Sequence, residues 1–371
     1  MRILRKLIEK DTTNPPGNEY RAAEVVKEFF EKYDIKYKIF EKEKGRTNII
    51  GYIGKGKEKL FIACHLDTVP VGNGWKTNPF KAVEKFGRIY GRGASDNKGP
   101  LASILITAKR LKAVENRLKG RVLIAGVADE ERGSEFGVKF LLNKNLINPE
   151  YAIIPDVGHR MKVIDVAEKG LLFLRITSYG KQAHGSRPER GVNAVWNMID
   201  FLNLFRNYKM NFKKHPLLSD PTINLGAIKG GETFNMVPSK CEAYIDIRYL
   251  PSQRSQEIIE NVKKMINFVK KRNKKAKFKI EIFDKQSPMD IQDNILINLI
   301  KKNSKKILGF EPKNHGMSGS TVTKFFAKKG IKAVGYGPGS ECAHMANEYV
   351  EIKDLINFSE VLYNTVLDLM L

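Results

Sequence analysis

"KLFIACHLDTVP", residues 59–70, decides the architecture. Leu60 to Cys64 form an unbroken apolar run of strand length, the pattern of a strand covered on both faces. His65 and Asp67 follow, two positions apart and therefore on one side of an extended chain. Comparable runs occur at "NIIGYIG" (48–54), "RVLIAGVA" (121–128) and "YAIIP" (151–155). Helical patterns lie at about 19–33, 98–116 and 134–145. The alternation predicts an α/β domain with a mixed, largely parallel sheet and helices on both faces. Its polar residues fall at the carboxyl ends of the strands, where open α/β sheets place ligands.

The texture changes near residue 171. "LLFLRITSYG", a helix in "GVNAVWNMIDFLNLF", the strands "TINLGAIKGG" and "CEAYIDIRYL", a basic helix over 252–272 and the strand "KFKIEIF" follow in β-α-β-β-α-β order. That order is the signature of a ferredoxin-like α+β sandwich. After Pro288 the α/β texture returns with a helix near 293–307, the loop "HGMSGST", a helix over 321–329, the strand "IKAVGYGPG" and a final helix. The expected organisation is a discontinuous catalytic domain, 1–170 and 286–371, interrupted by a lid and dimerisation domain, 171–285.

Composition narrows the classes. Of 371 residues, 42% are hydrophobic and 29% charged, and no apolar run reaches membrane-spanning length. The N-terminal stretch alternates charge and apolar residues and lacks a secretory leader's pattern, so a cytoplasmic location is expected. Three cysteines without close spacing exclude a disulfide framework and a Cys-based zinc finger. Any metal must therefore be held by His and carboxylates. The 65 Lys+Arg against 41 Asp+Glu give a net charge of +24. That balance raises nucleic acid as a partner. However, the densest run, "VKKMINFVKKRNKKAKFKI" (262–280), places Met265, Ile266, Phe268 and Val269 at helical spacing, so its lysines read as a solvated face. Neither nucleic acid nor membrane is expected as a partner.

Five stretches carry chemistry: "HLD" (65–67), "GRGASDNKG" (91–99), "ADEERG" (128–133), "IIPD" (153–156) and "AHMANE" (343–348). Singly each has a plain explanation: a core histidine, a helix cap, a solvated charge cluster or a turn. Together they bring imidazole and carboxylate without thiolate to strand ends and Gly-bounded loops. That donor set suits Zn²⁺, Co²⁺ or Mn²⁺.

These strings, in this order along nearly the whole chain, resemble the dinuclear-zinc peptidase and deacylase family of acetylornithine deacetylase, succinyl-diaminopimelate desuccinylase, aminoacylase and glutamate carboxypeptidase. The resemblance implies two divalent metal ions, zinc with cobalt or manganese as alternatives. His65, Asp96 and Asp156 would hold one, and Asp96, Glu131 and His344 the other. Asp67 would orient His65 through its second ring nitrogen, and a cis peptide would follow Asp96. Glu130 would be the general base. In "GKQAHGSRPERGVNA" (180–194), His184 would stabilise the oxyanion. In "ETFNMVPSKCEAYIDIR" (232–248), Asn235 and Arg248 would contact substrate, with Asp246 facing Arg248. The loop "GSTVTKF" (319–325) keeps Thr321 as a substrate contact. It has Val322 where the family usually has Asp, and Lys324, which with Arg248 would hold the substrate carboxylate, where Arg is common. Lys offers a point charge rather than a planar fork. Asp156 stands where many deacylases have Glu. His159, His215 and His315 match no ligand position.

The expected activity is metal-dependent hydrolysis of the amide of an N-acyl amino acid by a homodimer paired through its lid. The alternatives are a metallo-carboxypeptidase or dipeptidase with the same centre and, behind them, a non-catalytic metal-stabilised or nucleic-acid-binding protein. Glu130, which a structural metal site does not need, argues against that last pair.

Overall fold

The computed structural model describes residues 1–292 and 294–371. The chain packs as two compact units. One comprises Met1–Val166, Ile291–His315 and Thr321–Leu371; the other comprises Ala167–Asp290 and Gly316–Ser320.

The first unit is built on a mixed sheet. Its strands lie in the order Lys36–Glu41, Thr47–Gly54, Arg121–Val127, Glu58–His65, Tyr151–Ile154, Lys332–Gly335 and Val163–Glu168. The central pairings, from Arg121–Val127 through Lys332–Gly335, are parallel and the flanking ones antiparallel. Strand Glu58–His65 explains its own composition. Phe61 and Ala63 join the core of one face with Val138, Leu141 and Phe326, and the Phe61 and Phe326 rings lie 5.4 Å apart. Leu60 and Ile62, fully buried, point to the opposite face. There helix Lys98–Lys112 packs against the strand, and helix Ile352–Met370 packs against Lys98–Lys112 in turn.

Several elements differ from expectation, strand Val163–Glu168 among them. Strand Lys36–Glu41 ("KYKIFE") forms the sheet edge, where Tyr37 and Phe40 are only half-buried, so its apolar signal is weak. The helix expected over 134–145 shrinks to Val138–Asn143 because residues 129–137 fold into a tight turn. In that turn Ser134 N–H donates to the Asp129 carbonyl, and a Cβ at Gly137 would lie 1.9 Å from the Ala128 carbonyl oxygen. A small antiparallel sheet, Val83–Lys85, Arg88–Tyr90 and Tyr349–Glu351, pairs Tyr90 with Tyr349. It sets the 343–348 stretch beside 91–97.

The second unit is a four-stranded antiparallel sheet in the order Thr222–Gly230, Lys240–Tyr249, Gly170–Tyr179, Lys277–Gln286. Helices Ala194–Arg206 and Ser255–Arg272 share a core with it. The basic helix buries Ile258, Ile259, Val262, Ile266 and Val269. It leaves Lys263, Lys264, Lys270 and Lys271 exposed, as amphipathic spacing requires. No helix among the described residues is long and apolar enough to cross a membrane.

Candidate metal centre

The first unit gathers its acidic and imidazole side chains at the carboxyl end of the sheet. His65 closes strand Glu58–His65 and is 2% exposed. Its Nε2 lies 2.7 Å from Asp96 Oδ1, and its Nδ1 lies 2.9 Å from the Asp67 backbone carbonyl. The Asp67 carboxylate is farther from Nδ1, at 3.5 Å. It accepts instead from the backbone N–H groups of Glu130 (3.1 Å) and Glu131 (3.2 Å) and from Asn14 Nδ2 (2.8 Å). Of the Asp67 oxygens the carbonyl lies nearer Nδ1, while the carboxylate grips the Glu130–Glu131 turn.

Ligand-type atoms of His65, Asp96 and Glu131 all lie within 4.8 Å of one another, and so do those of His65, Glu130 and Asp156. His344 joins the first group, its Nε2 3.1 Å from Asp96 Oδ2 and 3.2 Å from Glu131 Oε2. The expected ligands therefore converge. Among the described residues, the three-membered group that contains Asp156 is completed by Glu130 where the family resemblance assigns Asp96.

The loops that carry these side chains are braced from behind. The peptide Asp96–Asn97 is cis. Gly93 has φ +84°, and a Cβ at Gly99 would stand 2.1 Å from the Ala94 carbonyl oxygen, so both positions require glycine. The fully buried Glu348 accepts from the N–H groups of Ser95 (2.8 Å) and Asp96 (3.0 Å) through Oε1. Through Oε2 it accepts from Gly93 N–H (3.1 Å) and Arg92 Nη1 (2.7 Å). Arg92, 1% exposed, also donates to the carbonyls of Pro70, Val71, His344 and Met345. One ion pair thereby ties the Asp96 loop to the His344 loop, where His344 has φ +65°.

Electrostatics follow from crowding carboxylates. Burial works against charge on His65, but the Asp96, Asp67 and Asp156 carboxylates together outweigh it and hold the imidazole well above its ordinary range. Hydrogen bonds to Asp96, then Glu131, push His344 up to about 10. Burial tends to raise Asp96, yet the two imidazoles hold it well below the usual carboxylate range. Burial, then Asp156, push Glu130 well up. The cluster thus draws positive charge onto its own histidines. Among the described residues, Glu131 Oε1 is buried without a hydrogen-bond partner. An orphaned carboxylate oxygen beside imidazoles and further carboxylates is a set of hard and borderline donors, and it fits divalent cations.

Residues 61–368 match the peptidase family M20/M25/M40. The chain belongs to that family. It is 35% identical to an uncharacterized metallohydrolase of Methanocaldococcus jannaschii, covering 98% of this chain and 97% of the relative. It is 30% identical to a probable succinyl-diaminopimelate desuccinylase of Staphylococcus aureus, covering 96% and 93%. In fold it is similar to an M20 family metallo-carboxypeptidase from Sulfolobus solfataricus, with a TM-score of 0.79 at 23% identity over 98% of each chain. The protein is accordingly an M20-family metallohydrolase.

The other residues expected to act in this M20 chain lie apart from that cluster in sequence. In the second unit, His184 is exposed with its Nδ1 2.7 Å from Ser186 Oγ, and its backbone bridges Met236, next to Asn235. Arg248 donates to both carboxylate oxygens of Asp246, at 2.8 and 3.2 Å. In the first unit, Thr321 Oγ1 accepts from Thr323 N–H at the start of helix Thr323–Lys328. Lys324 is 2% exposed. His159, His215 and His315 pair with Glu341, Asp290 and Asp165.

Sequence reasoning assigned no role to Asn14, Glu19, Arg46, Arg92, Asp129 or Glu348. The last three lie inside the quoted motifs. Their signal was a charged residue within a stretch that the strand ends must bury.

Proposed function

We propose that the protein hydrolyses the amide bond of an N-acyl amino acid at a dinuclear metal centre in the first unit. The observation that carries this is the convergence of His65, Asp96, Glu130, Glu131, Asp156 and His344, with a buried Glu131 oxygen that has no hydrogen-bond partner among the described residues. His65, Asp96, Asp156, Glu131 and His344 would hold two divalent cations, zinc by their donor types, with cobalt or manganese as alternatives. Bound there, the cations would supply Lewis acidity, acidifying water and polarising the scissile carbonyl.

The chain's own groups would do the rest. Glu130 takes a proton from the attacking water as the new C–O bond forms. It returns that proton to the amide nitrogen as the C–N bond breaks, leaving a free amine and a carboxylic acid, whose own proton then passes to solvent. Its raised proton affinity suits a carrier that must accept and then release. Asp67 anchors the turn on which Glu130 sits. His184 donates a hydrogen bond to the oxyanion. Asn235 and Thr321 would bind the substrate's polar groups, and Arg248 and Lys324 its carboxylate. Residues 1–170 and 286–371 form the catalytic part, and 171–285 the lid through which two copies pair.

The acyl-amino-acid substrate is supported by the similarity to the desuccinylase. The alternative is a carboxypeptidase or dipeptidase using the same groups, and a panel of N-succinyl and N-acetyl amino acids against dipeptides separates the two. Glu130→Gln tests the mechanism. Metal content should stay at the wild-type level while kcat falls about 10²–10⁴-fold. Near wild-type turnover with metal bound would overturn the assignment of the base.

A further inference from the structure

We propose that Asn14 is a positioning residue for the Glu130–Glu131 turn, acting by joining the Asp67 and Asp129 carboxylates through its side-chain amide. The inference rests on the roles proposed above for Glu130 and Glu131.

Asn14 Nδ2 lies 2.8 Å from Asp67 Oδ2 and 3.1 Å from Asp129 Oδ1. All three residues are buried, at 4%, 0% and 3% exposure. Two buried carboxylates brought together repel unless donors stand between them. A primary amide offers two N–H groups from one atom. A hydroxyl offers one, and Lys or Arg would add charge and length.

The amide cannot drift, because its backbone is zipped to the segment after His65. Asn14 N–H donates to the Thr68 carbonyl (2.8 Å), Thr68 N–H to the Thr12 carbonyl (3.1 Å), and Thr12 Oγ1 to the Leu66 carbonyl (2.6 Å).

From this point the turn is gripped on both sides. Asp67 accepts from the N–H groups of Glu130 and Glu131. Asp129, at φ +62°, accepts from Arg46 Nη2 (2.8 Å) and from Phe136 N–H (3.2 Å). Arg46 is itself locked by two 2.8 Å bonds to the buried Glu19, and Glu19 accepts from Asp129 N–H (3.1 Å). The backbone around Glu130 and Glu131 is thus fixed, and their carboxylates are left to the centre. Asn14 is the link between the two grips. Without it, Asp67 and Asp129 face each other with one donor fewer apiece and move apart, carrying the turn with them.

A displacement of about 1 Å at a proton-transfer group costs about 10²-fold in rate. Loss of an outer partner of a metal ligand costs about 10–100-fold in metal affinity or activity. The test is Asn14→Ala in the full chain, with three readouts: kcat and KM, zinc affinity by competition with a chromophoric chelator, and the apoprotein melting temperature. The expected result is kcat down about 10–100-fold with KM little changed, and zinc affinity down about 10-fold.

Asn303→Ala is the control. Asn303 is equally buried, and its amide serves the Leu299 carbonyl and Asp368, away from the site. It should lower the melting temperature and leave kcat and zinc affinity unchanged. Wild-type kcat and zinc affinity in folded Asn14→Ala would overturn the proposal, whatever the melting temperature. If that variant does not fold, Asn14→Asp, which keeps the volume and removes both protons, carries the same test. Failure of both to fold overturns the proposal too, because the link then serves the fold rather than the turn. Glu130→Gln is run alongside. Full turnover there removes the base assignment, while the zinc readout still judges the role of Asn14.

Discussion

Replacing Glu348 by Gln should weaken the first unit more than most single substitutions. Both carboxylate oxygens face donors only: Ser95 and Asp96 N–H on one, Gly93 N–H and Arg92 on the other. A glutamine can offer its oxygen to one pair, and its NH₂ must then meet the other pair, donor against donor. Two hydrogen bonds to a charged acceptor are lost, each worth about 1.5–3 kcal/mol. Arg92, buried with its partner at 1% side-chain exposure each, keeps a charge without a counterion. Removing one member of a buried pair costs about 3–5 kcal/mol. The two figures count overlapping contacts, so the expected loss is about 3–5 kcal/mol. At a urea slope of about 2 kcal/mol per molar, the midpoint should fall by about 2 M. The chain supplies its own probe. The Arg92 guanidinium lies 5.2 Å from the Trp75 ring, and Trp75 Nε1 donates to the Val71 carbonyl. The sequence holds two tryptophans; the other, Trp196, lies in the second unit and is 65% exposed. In a Trp196→Phe background, fluorescence therefore follows the clamp alone. A midpoint shift under about 0.5 M would show that backbone pairing, not the ion pair, holds the loops, and would refute the reasoning.

Two further outcomes follow from titrating groups. In the metal-free protein His344 is pushed up to about 10 and His65 is held high by Asp96. Loading zinc near pH 7 should thus release about two protons per molecule and tighten as pH rises, measurable by calorimetry in buffers of different ionisation enthalpy; no release would contradict charged imidazoles. His315 is raised by its hydrogen bond to Asp165, with the His159 ring 5.5 Å away and Glu341 beyond it. A histidine raised in the folded state adds stability that is complete below about pH 6.5 and lost as pH rises through the folded value. The melting temperature should fall across that window, and His315→Asn should flatten the slope; an unchanged slope would place it elsewhere.

What was legible in the sequence was whatever lay on one element. Phe61, Ala63 and His65 are set by a two-residue period, so strand and core are legible together, while a ligand role for His65 comes only with the family resemblance. Glu131 and Asp156 are legible as polar residues just after apolar runs, and Asp96 and His344 as polar residues in Gly-bounded loops. Strand Lys36–Glu41 was not, because an edge strand buries little and its charges mask the alternation. Asp67 marks the boundary between the two kinds of information. Spacing aims it to the same side as His65, but spacing cannot decide between its carbonyl and its carboxylate. That choice depends on donors at Asn14, 53 positions away, and on the turn after Asp129.

The same limit explains why the clamps went unread. Arg92 and Glu348 stand 256 positions apart, and Asn14 and Asp129 stand 115 apart. Each alone resembles a surface charge or a turn residue. Only their meeting in a dry place makes them costly to change, because a buried charge or amide without its partner is worse than none. The groups that hold the centre in place are therefore expected to be as sensitive to substitution as those that face the substrate. The two sets should differ in what they move: Glu130→Gln should lower turnover and spare stability, whereas Glu348→Gln should lower both.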